Sequence, residues 1–388
     1  MSADFETRLW SQLEAAAERK AARARSERAW AAICSRWHLS RAVPGFAAAL
    51  AALVLVTAVV LPLRDVTTSE ISAPMRLRVI HVAEGLDRGV VAGGRVYLHD
   101  TSANALVRID PASGSVAGRT PLHTQARNVS MAADGDAVWV VATPYMTHSA
   151  PERIDRPLPL ARVDARTGQV TTRVALRSPD GEPFIPFGVI AGAGRVWVWG
   201  PAGALRIDPA TGRPQGMIAV PGNTVIGFAA SERDAWATTV LGRLLRFDAA
   251  TGARIGSGPS EPLDAPFDLV VAPGALTMGD QHGAVIGLDP GTGHRLWHTP
   301  VGSALLAAAP IGHTIWAAVH DQEASHDALI ALDSASGEIR SRVALPAAGV
   351  QAMIPVADTI WVVMRDGDVI IAGRKGAQLS PDGAPAAN

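Results

Sequence analysis

Cysteine is almost absent from this chain, with Cys34 its single example. No disulfide can form within one such chain, and no cysteine zinc cluster can either. Charge of one sign is lacking too. The formal net charge is -1 at pH 7, which removes the electrostatic case for a nucleic-acid partner. Lysine is nearly missing, with only Lys20 and Lys375 beside many arginines. Together with abundant Ala, Gly and Pro, that bias points to a GC-rich, bacterial genome. The sequence offers no nucleophile set beside a base, no phosphate-binding loop and no catalytic carboxylate pair. No cofactor is expected.

Long apolar runs are missing, save one. "VPGFAAALAALVLVTAVVLPL", residues 43–63, has no charge and one hydroxyl, Thr57. At about 1.5 Å per residue it reaches about 30 Å, enough to cross a hydrocarbon core as a helix. A cleaved signal peptide is the rival, but its charged leader is normally short, and here more than forty residues precede the run. An uncleaved anchor is expected. Arg23, Arg25, Arg28, Arg36 and Arg41 flank it on one side; Arg64, Arg76 and Arg78 follow it, mixed with Asp65 and Glu70. The bias places the N-terminus in the cytoplasm and the bulk of the chain outside the cytoplasmic membrane. Residues 1–42 read as a basic helical segment. Ser2 caps it, and Phe5, Leu9, Leu13 and Ala17 recur every four residues. That segment serves either as a docking helix for a cytoplasmic partner or only as an orientation signal. Residues 64–74 read as a linker, and 381–388 as a disordered tail.

What fills the rest is repetition. "LVRIDPASG" (residues 106–114) returns as "LARVDARTG" (160–168), "ALRIDPATG" (204–212) and "LLRFDAATG" (244–252). It fades through "VIGLDPGTG" (285–293) to "LIALDSASG" (329–337). Strands bearing Tyr97, Trp139, Trp197, Trp236, Trp316 and Trp361 alternate with these motifs, and Thr277 holds the equivalent place in "ALTMGD". That makes seven units about forty residues apart, the spacing of a four-stranded propeller blade. Alternation in "RVWVWG" and "TIWVVMRD" supports strands. The expected fold is all-β: a seven-bladed β-propeller over residues 75–380, preceded by the helical segment and one transmembrane helix. "LRVIHVAEG" (77–85) matches a fourth-strand position and should latch the last blade, whose own hairpin "IIAGRKG" is degenerate. "AQLS" (377–380) competes for that slot.

Asp110, Asp164, Asp208, Asp248, Asp289 and Asp333 each precede a Gly by four residues. Asp at a first turn position accepts bonds from nearby amides, and Gly supplies positive φ. Six equivalent carboxylates spread around a ring cannot converge on one substrate, so they are read as turn residues.

The alternation of "DPxTG" turns with Trp-bearing strands resembles bacterial propellers of the quinoprotein-like and YVTN-like kind, over about residues 77–380. "LDPGTGHRLW" (288–297) comes nearest to a quinoprotein blade motif. Quinoprotein dehydrogenases usually have eight blades and an adjacent cysteine pair, and this chain has neither. Pyrroloquinoline quinone is therefore not expected. The resemblance implies a fold rather than a function.

The longer loops, 143–159, 177–187, 256–267 and 320–327, all belong to one face, opposite the tight turns. Binding residues favour such loops. The first residues of the inner strands should ring the channel mouth on that face: Arg88, Asn128, Phe187, Asn223, Phe267, Ser303 and Gln351. They are the candidate ligand-binding residues, with an ordinary water-filled entrance as the alternative. "HDQEASHD" brings His320, Asp321, Glu323, His326 and Asp327 together as a candidate metal site, though no spacing in it is diagnostic. The expected function is a membrane-tethered, extracytoplasmic module that binds a protein, peptide or cell-envelope ligand. Alternatives are an enzyme of the streptogramin-lyase type, which needs a metal with His and Glu at the mouth, and a transmembrane regulator acting through its leader helix.

Overall fold

The computed structural model describes residues 75–123, 128–143, 146–147, 150–151, 157–192, 195–257, 263, 267–280, 282–321 and 326–374. The expected leader, membrane span, linker and tail, and the "AQLS" competitor, lie outside the described residues. Among the described residues no helix is long and apolar enough to cross a membrane.

The chain folds into seven four-stranded antiparallel sheets, as expected. Six are consecutive meanders: blade 1 spans residues 86–121, blade 2 128–175, blade 3 188–219, blade 4 225–257, blade 5 267–300 and blade 6 304–344. A small hairpin, Met146–Thr147 with Ala150–Pro151, is inserted in blade 2. The inner strands are Leu86–Ala92, Asn128–Asp134, Gly188–Gly192, Val225–Ala230, Phe267–Ala272, Ala304–Ile311 and Val350–Val356. Each contacts the next, and the last contacts the first, so the ring is closed.

Closure comes from the latch. Met75–His81 pairs antiparallel with Asp368–Arg374 as the outer strand of blade 7, from Met75 opposite Arg374 to His81 opposite Asp368. The chain then crosses to blade 1, where the Val82 amide donates to the Gly367 carbonyl at 3.0 Å. A Cβ at Gly367 would fall 1.3 Å from the Ala83 carbonyl oxygen, and φ there is +92°. Only glycine lets the crossing chain lie so close. Arg78 of the latch also donates to the Ser113 carbonyl in the blade 1 turn at 2.9 Å. Below this seam Val82, Val96, Leu98, Val107 and Ile109 pack with Ile354, Trp361, Val363, Val369 and Ile371 in one buried cluster.

Blades join through a repeated socket. In blades 1 to 4 the aromatic of the second strand stands directly across from an arginine of the third: Tyr97 from Arg108, Trp139 from Arg162, Trp197 from Arg206 and Trp236 from Arg246. The aromatics of blades 1 and 4 and the arginines of blades 1, 3 and 4 bond carbonyls in the Asp–Gly turn of the following blade, whereas Arg162 of blade 2 donates to Thr171 of its own outer strand. Tyr97 donates to the Ala165 carbonyl at 2.6 Å and Trp236 to that of Pro290 at 3.1 Å. Arg108 donates to the Arg166 carbonyl at 2.9 Å and Arg246 to that of Gly291 at 2.8 Å; Arg206 does the same to Ala250. Across from three of these arginines the outer strand places glycine, Gly118, Gly216 and Gly256, and at Gly118 a Cβ would stand 3.1 Å from the Arg108 guanidinium.

Blade 5 breaks the row and repairs it. Thr277 replaces the aromatic and Gly287 the arginine, and across from Gly287 stands Trp297 of the outer strand. A Cβ at Gly287 would lie 2.1 Å from the Trp297 ring. The indole thus lies inward over the glycine and donates to the Ser334 carbonyl in the blade 6 turn at 3.1 Å. The tryptophan has moved two strands outward to fill the same socket.

Two outcomes follow for melting experiments. Deleting residues 75–84 should leave blade 7 with an open edge and its contact with blade 1 unsealed, producing aggregation or a much lower Tm; unchanged melting would refute the latch. Trp297→Ala should cost about 3–5 kcal/mol, as for other buried aromatics, and Thr277→Ala less than about 1 kcal/mol. Equal losses would refute the substituted socket.

Candidate functional site

The two faces of the ring differ in how they are built. On one, the turn between the first two strands meets the turn between the last two. The Ala165 amide donates to the Asp136 carbonyl at 2.7 Å, Ala249 to Arg233 at 2.8 Å and Ser334 to His313 at 2.9 Å. The six repeated aspartates lie here. In each, Oδ1 accepts backbone amides two or three residues on: from Ala112 and Ser113 in Asp110, Arg166 and Thr167 in Asp164, Ala210 and Thr211 in Asp208. Asp248, Asp289 and Asp333 do likewise. The following glycines have φ between 71° and 77°. These backbone amide bonds, with a Thr or Ser hydroxyl behind them, hold the carboxyls of Asp164, Asp208, Asp248, Asp289 and Asp333 below the usual carboxylate range. They form turns, as their spacing implies.

The other face carries the connections between blades and between middle strands, and the inner strands start from it. Five of the seven inner strands have a β-bulge at or beside this end, which turns side chains at the mouth. Of the residues expected there, Arg88 is exposed within the first bulge, and Asn128, Phe187, Asn223, Ser303 and Gln351 are half-buried at or beside the starts of their strands. Phe267 begins the inner strand of blade 5, with only its backbone described. Ser303 donates to the His320 carbonyl at 2.9 Å, and Gln351 to the Gly349 carbonyl at 3.3 Å. Phe187 meets Trp199 edge-on, with ring centroids 6.0 Å apart at 87°.

Trp199 was not among the expected residues. It is the second Trp of "RVWVWG", directly across from Gly188 of the inner strand. A Cβ at Gly188 would stand 2.6 Å from the indole nitrogen, so the ring reaches over the inner strand toward the mouth. The signal was present in "PFG", where an aromatic and a glycine begin an inner strand, but it needs the register to be read.

The expected metal loop divides. His320 Nδ1 lies 2.8 Å from Asp327 Oδ1. The other Asp327 oxygen accepts the amides of Gly349 at 2.7 Å and Val350 at 3.0 Å, and the carboxylate is 1% exposed. Asp327 therefore anchors the entry to blade 7. His326 is half-buried with Nδ1 unpartnered, Asp321 has only its backbone described, and Glu323 lies outside the described residues. Among the described residues no three His, Cys, Asp or Glu side chains are grouped to hold a metal ion.

Three further carboxylates on this face pair with histidines: Asp368 with His81 at 2.8 Å, Asp87 with His99 at 2.7 Å and Asp280 with His298 at 3.2 Å. With His320–Asp327 they occupy four successive blades, 5, 6, 7 and 1. Asp100, nearly buried, instead holds Arg119 at 2.8 Å and the amides of Ser102 and Ala103.

A family model described as "PQQ_2: Outer membrane protein assembly factor BamB" matches residues 159–308. No curated protein matches the chain in sequence. Among solved structures, the β-propeller domain of Cps50 (Swd1) from Myceliophteria thermophila has a TM-score of 0.61 at 12% identity, covering 78% of this chain and 100% of that one. BamB from Moraxella catarrhalis has a TM-score of 0.49 at 14% identity, covering 76% and 98%. The chain is a seven-bladed β-propeller whose central part, residues 159–308, is similar to that quinoprotein-like repeat family. At 12% identity the likeness to the Cps50 (Swd1) domain is one of fold.

The turn aspartates give a test with a sign. Their carboxyls are lowered in the folded state, so the stability they add is complete above the unfolded value of about 3.9 and is lost as pH falls through the lowered values. A variant carrying Asp208→Ala and Asp248→Ala should melt below wild type at neutral pH, and the gap should narrow progressively on acidification below the unfolded carboxylate value of about 3.9. A gap unchanged by acid would show that the charged turn bonds are not its source.

Proposed function

We propose that this chain is a single-pass, membrane-tethered propeller outside the cytoplasmic membrane, acting as a binding module for a protein, peptide or cell-envelope ligand on its long-loop face. One observation carries the reading. A closed ring brings the seven inner-strand starts to one end, at or beside which half-buried Asn128, Asn223, Gln351 and Ser303 and the Phe187–Trp199 ring pair lie. Concave sites of mixed apolar and polar character on a rigid frame are where ligands bind.

Strand direction supports the tether. Met75 lies at the turn-face end of the latch, across from Arg374, and His81 at the long-loop end. The described chain thus begins at the turn-face end, which is compatible with an anchor at residues 43–63 and a long-loop face left open to partners. The family model that matches the centre of the chain is described as an outer membrane protein assembly factor, which favours a binding module over an enzyme. The commitment of Asp327 to blade 7 weighs against the streptogramin-lyase alternative.

Protease added to spheroplasts should degrade a propeller epitope and spare an N-terminal tag; the reverse pattern refutes the orientation. Full-length protein carrying Phe187→Ala and Phe267→Ala should lose captured partners while the Asp208→Ala, Asp248→Ala variant keeps them in its folded fraction. Opposite results would put the binding face on the turn side.

A further inference from the structure

Seven outer strands form the flank of the ring, and each has a paired neighbour on one side only. Such edges invite pairing by another chain, and folds guard them with bulges, proline or short length. In blades 1 to 6 the register between the third strand and the outer strand shifts at a bulge. Gly118 and Pro121, Pro214 and Gly216, Gly256, and Pro300 interrupt four of these strands further. The latch has none of these devices. Met75–His81 runs in unbroken register with Asp368–Arg374 and contains neither glycine nor proline. It is also the most open. Arg76, Leu77, Arg78 and Val79 are exposed in a row, whereas among the described residues the other outer strands never expose more than two in succession.

The two faces of this strand differ in chemistry. Arg78 bonds the Ser113 carbonyl, and a Cβ at Gly114 would meet both Arg78 and Ile80, so Arg76, Arg78 and Ile80 lie on the blade 1 side. Met75 packs into the cluster shared with blade 6, so Leu77 and Val79 lie on the other side, 36% and 49% exposed. Among the described residues neither arginine has a carboxylate partner: Arg78 bonds only that carbonyl, and Arg76 bonds nothing. Elsewhere on the flank Arg119 is paired with Asp100 and Arg340 with Asp333. We propose that the latch edge is a docking surface that takes an extended acidic segment of another protein as an added strand of blade 7, with its carboxylates beside Arg76 and Arg78 and its apolar side chains beside Leu77 and Val79. In such strand addition the main chain supplies affinity and the alternating side chains supply specificity. A second copy of this chain is a poor occupant. Pairing the whole strand antiparallel with its own copy sets Arg78 opposite Arg78, and like charges directly opposite destabilise a strand pair. A basic segment meets the same repulsion. The edge lies on the flank, apart from the mouth, so the inference does not depend on the mouth binding anything.

The test uses the full chain in detergent with three end-blocked peptides as probes: one alternating glutamate and valine, one alternating lysine and valine, and a glutamate–valine peptide with proline at its centre. The first should bind saturably by fluorescence anisotropy, more weakly as salt is added, and should slow hydrogen exchange at the amides of residues 75–81. The lysine and proline peptides should bind about tenfold more weakly or not at all. Arg76→Glu should weaken the first peptide about tenfold as well. Because Arg76 is exposed and unpaired, that variant should melt as wild type does. Leu77→Asp, a second exposed change, should act in the same direction. The Phe187→Ala, Phe267→Ala variant should bind the peptide as wild type does, which separates this edge from the mouth. Equal binding of the glutamate and lysine peptides, binding without protection of residues 75–81, or no binding at all overturns the inference. A dimer in sedimentation that disperses in Arg76→Glu also overturns it, by assigning the edge to a second copy.

Discussion

The structure depends on one constraint: a four-stranded blade has two apolar faces and cannot bury either by itself. Each blade must lend a face to both neighbours, and the last must find the first. The socket solves the first demand. An aromatic from one blade enters the turn of the next and bonds a carbonyl there, as Tyr97 does at Ala165 and Trp236 at Pro290. The repeated aspartate shapes that turn so that its carbonyls are presented to the incoming ring. The Asp, the Gly and the aromatic are therefore parts of a single joint, although they come from different blades. The latch solves the second demand by pairing the first described strand with the last.

Much of this was legible because it is local. Period-two alternation, the Asp–Gly spacing and the Trp-bearing strands are each complete within a short stretch, so blade number, turn chemistry and even the latch could be read before any coordinates. What escaped depends on register between strands joined by loops of variable length. Trp297 looks like an incidental aromatic until Gly287 is found across from it. Trp199 looks like one more core position until Gly188 is seen to let its ring reach the mouth. The other three His–Asp pairs, outside the His320–Asp327 loop, were invisible for the same reason: His298 reaches Asp280 across an intervening strand.

The candidate metal loop shows a different limit. Carboxylates that look alike in sequence divide by burial. Asp208 and Asp248 are partly exposed, and each spends one oxygen on its own turn. Asp327 is 1% exposed and spends both, one on His320 and one on the amides opening blade 7. Residue type suggested a ligand set, whereas the demand to satisfy buried amides at a blade junction made Asp327 a structural anchor.

The two faces are consequently free to different degrees. The turn face is occupied by its own joints: every Asp–Gly hairpin receives groups from the preceding blade, so a change there is felt across an interface. The long-loop face carries connections of unequal length, and its charged groups are distributed unevenly, with His–Asp pairs on blades 5, 6, 7 and 1 and amides with aromatics on blades 2 to 4. A scaffold whose closure is handled on one face can vary the other without losing its ring. That asymmetry is the physical reason to look for recognition at the mouth, and within it to the sector where Trp199 leans over Gly188 rather than to the carboxylates that hold the blades together.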